Sequence, residues 1–268
     1  MTYNEEDILL NELKKLSLNT SYKKEDSREE ENNDKDSNEK DSNRDKASLS
    51  KLIKYDLYSN DISGLENINK LYDSSSIKKW IKLIPTDKTI PFEVYNRKEY
   101  FIPIADIILD DELFTSGKKE GNKKRNTLIK FVPTISTEEF NKKTEWLYLL
   151  VINGMIVKIG GTRTGLKGRV ASYLCGHHIE ERGKSGDCSK TNGFIYNTFE
   201  FYLNLGCKIQ MYGYELPKTE LIIKIFDKET KITAQTYHAY ESTFLEDYKK
   251  IYNEFPILSD NCDPDYKE

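Results

Sequence analysis

No run of about eighteen apolar residues occurs in this sequence, so a membrane-spanning helix is not expected. Cysteine is scarce: Cys175, Cys188, Cys207 and Cys262 are scattered without a CxxC pair. That excludes a disulfide framework and a zinc ribbon as expectations and points to reduced thiols inside a cell. A basic leader is also missing. Glu5, Glu6 and Asp7 stand where a secretory signal would carry Lys or Arg, so a soluble protein of cytoplasm or nucleus is expected. Apolar residues are few for the length, 37% against 32% charged, which is too polar for a chain folded throughout. The shortfall falls in residues 21–47, which hold no Val, Ile, Leu, Phe or Trp. Ordering such a segment costs entropy with no burial to offset it, so it is expected to be a disordered linker. Ahead of it, Ile8, Leu9, Leu10, Leu13 and Leu16 recur at helical spacing, a short amphipathic helix suited to docking a protein partner.

With 268 residues the chain has room for one large domain or two small ones. Its net charge of −4 averages two unlike pieces, because residues 1–47 carry fourteen acidic and nine basic residues, net −5, which leaves +1 for the remainder. Within that remainder Lys118, Lys119, Lys123, Lys124, Arg125 and Lys130 face only Glu120, and Lys142, Lys143, Lys158, Arg163, Lys167 and Arg169 face only Glu145. Two such clusters suit a polyanion such as DNA, although charge alone equally describes a solvated surface.

The elements read as α+β. Three regions are expected: residues 1–47 as helix plus linker, 48–135 as an accessory helical and hairpin region, and 136–268 as a domain with a small antiparallel sheet flanked by helices. From Leu49 to Ile84 the apolar spacing suggests short helices broken at Gly64 and Pro85, and from Pro91 to Leu109 a hairpin turning at Asn96 and Arg97. Trp146 to Ile152, the turn pair Asn153-Gly154, and Met155 to Ile159 spell a β-hairpin, ended by Gly160 and Gly161. A helix over Leu166 to Leu174 then sets Arg169 and Tyr173 one turn apart on one face. Residues 193–205 form another helix stopped by Gly206, Lys208 to Leu216 a strand, Leu221 to Phe226 with Lys231 to Ala234 a further hairpin, and Thr236 to Tyr252 the last long helix.

This order of residues resembles the GIY-YIG nuclease family over about residues 140–265. Trp146-Leu147-Tyr148 stands at the first triplet and Lys158-Ile159-Gly160 at the second, followed by Thr162, Leu166 and Arg169, then the helix with Glu241 and a closing segment with Asn261. The resemblance implies a metal-dependent DNA endonuclease with catalytic Tyr148, Lys158, Arg169, Tyr173, Glu241 and Asn261. It implies Mg2+ or Mn2+ on Glu241, and DNA held by Lys118, Lys119, Lys123, Lys124, Arg125, Arg163 and Lys167. The first triplet keeps only its tyrosine, and the second carries lysine, as some branches do. Cutting two strands with one site per chain would call for a homodimer or two nicks. Two other classes fit the same residues: a non-cleaving DNA-binding module, and an interaction protein recruited through its N-terminal segment.

The chemistry accounts for these residue types. Phosphodiester hydrolysis needs a deprotonated nucleophile and neutralised phosphate oxygens within a few ångströms. Arg169 offers a planar fork to phosphate, and Glu241 a hard oxygen to a cation. Tyr148 would orient or deprotonate water if its phenol pKa were depressed by a neighbouring Lys158 and the metal. Glu241 shares its helix face with Tyr237, His238, Phe244 and Leu245, whereas Glu246 faces Ser242, Thr243, Lys249 and Lys250, which favours Glu241 as the ligand. Strand alternation adds a geometric demand. A plain two-residue Asn153-Gly154 turn sets Tyr148 opposite Ile159 and sends Lys158 to the other face, so an odd-length turn or a bulge is expected, with Tyr148, Lys158, Arg169 and Glu241 converging on one cleft.

Overall fold

The computed structural model describes residues 59–110, 127–181 and 188–259. The segments expected to be an N-terminal helix and linker, the basic loop with Lys118 to Arg125, and Asn261 lie outside the described residues. Among those described, the main element is a five-stranded antiparallel sheet in the order β2-β1-β5-β3-β4. Its strands are β1 (Ile102–Leu109), β2 (Ile129–Pro133), β3 (Trp146–Ile152), β4 (Met155–Thr162) and β5 (Ile209–Glu215). The helices are α1 (Ile62–Leu71), α2 (Thr137–Asn141), α3 (Leu166–Leu174), α4 (Lys190–Asn204) and α5 (Tyr237–Tyr252), with a separate hairpin of β6 (Thr219–Ile225) and β7 (Lys228–Ala234). The architecture is thus α+β, and residues from the expected accessory region supply two of the five strands.

Strand β3 shows why the sheet is central. All seven of its residues are buried, since both faces are covered. Trp146, Tyr148, Leu150 and Ile152 join one core with Leu65 and Ile68 of α1, Leu166, Val170 and Tyr173 of α3, and Phe194, Phe199 and Tyr202 of α4. Leu147, Leu149 and Val151 join the other with Phe244, Leu245 and Tyr248 of α5. Each fully buried Leu or Phe contributes roughly 1.5–3 kcal/mol from water exclusion. The helices are therefore held to the sheet by apolar faces, and the sheet has a helical layer on each side.

The expected hairpin over 146–159 forms. Asn153 (φ 45°) and Gly154 (φ 81°) both take left-handed backbone, the conformation a two-residue hairpin turn requires. The Asn153 side chain also donates to the carbonyls of Ser59 and Asp61 and accepts from the N–H of Lys208. One turn residue thus ties the hairpin to the approach of α1 and to the start of β5. Elsewhere the structure corrects the reading. Gly64 lies inside α1 rather than breaking a helix, residues 91–101 form two 3-10 turns (Phe92–Val94, Lys98–Tyr100) instead of half a hairpin, and β1 pairs with the distant β2 and β5. Gly160 and Gly161 continue β4 rather than end it.

Irregular segments are pinned by buried phenols. The hydroxyls of Tyr202, Tyr196 and Tyr248 accept the backbone N–H groups of Ile84, Leu128 and Ile90. Burial pushes the pKa of Tyr248 up to about 12 and that of Tyr202 further up. A phenol whose folded pKa exceeds its unfolded value stabilises the fold fully below the unfolded pKa, near pH 10, and that contribution is lost as pH rises through the folded value. The melting temperature is therefore expected to hold steady up to about pH 10 and to fall above it, by up to about 1.4 kcal/mol of stability per pH unit for each such phenol. Scanning calorimetry across that range checks this, and a melting temperature unchanged well above pH 10 would contradict it.

Candidate active site

The parity problem is solved by a bulge. The turn has two residues, with Ile152 opposite Met155 and Val151 opposite Ile156, but the register then shifts so that Leu150 faces Lys158 and Tyr148 faces Gly160. One extra residue on β4, Val157, brings Lys158 to the same face as Tyr148. The C-terminal segment accompanies the bulge along this edge strand. The Leu258 N–H donates to the Val157 carbonyl at 2.8 Å, and Ser259 exchanges hydrogen bonds with the backbone of Ile159. Lys158, 4% exposed, donates from Nζ to the Leu258 carbonyl at 2.9 Å.

On that face three side chains meet. Arg169 donates from Nε to the Tyr148 hydroxyl at 2.7 Å and from Nη2 to the Tyr173 hydroxyl at 3.0 Å, while the two hydroxyls lie 2.6 Å apart. The guanidinium also stacks 4.4 Å from the Tyr173 ring centre. Helix α3 makes this possible, since Arg169 and Tyr173 are one turn apart and Leu166, Val170 and Tyr173 anchor it in the core. Its entry turn uses Gly165 (φ 94°), where a Cβ would strike the Lys142 carbonyl. Arg163 and Lys167 flank this entry and are exposed.

The chain's own groups do not depress the Tyr148 phenol. Burial drives its pKa up, the charge of Arg169 and the hydrogen bond from Tyr173 only partly offset this, and the Glu241 carboxylate works in the same direction as burial. The Tyr173 phenol is pushed well up for the same first reason. Burial opposes charge on Arg169, but the two phenol oxygens turned toward it outweigh burial and raise its pKa, so it stays a cation.

Glu241, expected in one cleft with Tyr148, Lys158 and Arg169, instead approaches from the other face of β4. A Cβ on Gly161 would lie 2.7 Å from the Tyr237 ring and 3.1 Å from Glu241 Oε2, so helix α5 sits directly on this glycine. Glu241 is half-buried there, and Glu246 is exposed. Three features escaped the sequence reading. Gly160 and Gly161 are the seats of Tyr148 and of α5, the Leu258 carbonyl anchors Lys158, and Glu145 accepts the backbone N–H and hydroxyl of Thr236 to fix the start of α5. The adjacent glycine pair was the only local signal for the first, and the lone acid in a basic stretch for the last.

No family model and no curated protein matches this chain. Among solved structures, the chain is similar to restriction endonuclease HPY188I in complex with product DNA, at 27% identity over 63% of this chain and 84% of that one, with a TM-score of 0.38. It is also similar to a mutant of bacteriophage T4 EndoII, at 22% identity over 58% of this chain and 90% of that one, with a TM-score of 0.34. Among the described residues no helix is long and apolar enough to cross a membrane.

Proposed function

We propose that this chain is a divalent-metal-dependent endonuclease that hydrolyses DNA phosphodiester bonds on a GIY-YIG-like scaffold, with Tyr148, Lys158, Arg169, Tyr173 and Glu241 at its site. The observation that carries the reading is the guanidinium of Arg169 held by two phenol oxygens at 2.7 and 3.0 Å, with a carboxylate just across the edge strand. Two of the five N–H donors of Arg169 engage phenols, and the others are the donors that would grip phosphate oxygens. Tyr148, a neutral phenol near pH 7, is suited to orient the attacking water and to exchange a proton with Tyr173, 2.6 Å away. Lys158 adds a side chain on the same face, aligned by its bond to Leu258. Asn261 and the basic residues Lys118 to Arg125 keep the roles that the resemblance implies.

Among the described residues no group of three or more His, Cys, Asp or Glu lies together, so Glu241 would hold Mg2+ or Mn2+ with waters and phosphate oxygens completing the shell. When bound, that ion would neutralise developing charge on the phosphate. A second reading, a non-cleaving DNA-binding module, is favoured by the complete burial of Tyr148. Supercoiled plasmid incubated with the protein in Mg2+ or in EDTA separates the two. Nicked or linear product in Mg2+ alone supports the nuclease, salt-sensitive binding without product supports the module, and neither result refutes both.

A further inference from the structure

Among the described residues, hairpin β6–β7 stands as a two-stranded sheet of its own. Such a ribbon is marginal in water and gains most from a third strand or a covering surface. Its alternation is amphipathic. Leu221, Ile223 and Ile225 of β6 and Ile232 of β7 share one face, while Glu220, Ile222 and Lys224 share the other with Thr233, Lys231 and Glu229. The strand is also unusually exposed for its composition, with Ile222 at 72%, Leu221 at 47% and Ile225 at 46%. A long apolar strand with an unpaired edge is a template for pairing with another chain.

We infer that the free edge of β6 is a homodimer interface at which two copies pair antiparallel about Ile222. Centring the two-fold there sets Glu220 opposite Lys224 of the partner subunit at both ends, Leu221 opposite Ile223 of the partner subunit, and Ile222 against itself. The strand is self-complementary in charge and in apolar character at this register, with Glu220 also ion-paired to Lys218 and Lys231 of its own chain. Moving the axis to lie between Ile222 and Ile223 sets Glu220 against Ile225 and Lys224 against Leu221, which loses the charge pairing. Two copies paired along β6 in this way form a four-stranded sheet. An aliphatic edge of this kind has no attraction for phosphate, which separates this surface from the candidate active site.

Sedimentation of the full chain without DNA tests the interface independently of any nuclease activity. The wild type is expected to dimerise. Glu220→Lys and Lys224→Glu should each weaken the dimer by about tenfold or more, because each places like charges at both ends. An equimolar mixture of the two variants should dimerise again, since every cross-strand pair is then opposite in sign, and this recovery cannot come from misfolded variants. A monomeric wild type, single variants that dimerise as the wild type does, or a mixture that stays monomeric would overturn the interface.

Discussion

Glu241→Gln should lower the rate of Mg2+-dependent plasmid cleavage by at least about a hundredfold, the scale of losing one preorganised electrostatic partner, while DNA affinity stays nearly unchanged. The amide keeps the shape of the side chain and the packing of α5 on Gly161, yet it removes the charge that would hold a hard cation. Glu246→Gln is the matched control. It sits on the exposed side of the same helix, five residues on, and should leave both cleavage and binding as they are. The comparison is informative because both variants alter the protein's net charge equally, so a general electrostatic effect on DNA binding would move both alike. Equal loss in the two, or loss confined to Glu246→Gln, would take Glu241 out of the metal site. Gel-shift affinity and single-turnover cleavage, measured on the same preparations, distinguish these outcomes.

Local chemistry in the sequence foretells a good deal of this molecule. Asn153-Gly154 announces its turn because both residues tolerate left-handed backbone, Leu166 to Leu174 announces its helix, and Gly206 (φ 83°) stops α4 where expected. Long-range pairing is another matter. Nothing near Val157 announces a bulge, because the segment that bonds its carbonyl lies a hundred residues on at Leu258. The pairing of β1 with β5 is equally non-local, and without it residues 91–109 read as a hairpin that the chain replaces with tight turns. Gly160 and Gly161 look like a strand terminator in isolation, yet in the fold they continue β4 because Tyr148 and α5 occupy the space of their missing side chains. The site shows the same division. Residue order brings Tyr148, Arg169 and Tyr173 to attention, whereas the direction of the Tyr148 pKa depends on burial from three distant elements that sequence order does not reveal.

Gly160→Ala is expected to be strongly damaging to the fold and to the site. A Cβ there would lie 2.4 Å from the Tyr148 hydroxyl oxygen and 2.5 Å from the ring carbon bearing it, far inside van der Waals contact. The ring cannot swing clear, because it is fully buried and its hydroxyl is held by both Arg169 and Tyr173. Overpacking of this kind costs about 1–3 kcal/mol, and displacing the phenol would also leave buried donors of Arg169 unmatched, at roughly another 1–3 kcal/mol. Gly168→Ala, eight residues on and in the first turn of α3, supplies the contrast. Its position is exposed, its nearest neighbour is the Thr164 hydroxyl at 3.3 Å, and alanine favours helix over glycine by about 1 kcal/mol. The same one-carbon addition should therefore destabilise at 160 and stabilise slightly at 168, as read by urea denaturation. Cleavage should vanish with the first and persist with the second. If Gly160→Ala unfolds at the wild-type urea midpoint and still cuts DNA, then the Tyr148 phenol does not rest on Gly160 in the working enzyme, and the hydrogen-bonded group of Tyr148, Arg169 and Tyr173 is not the catalytic arrangement.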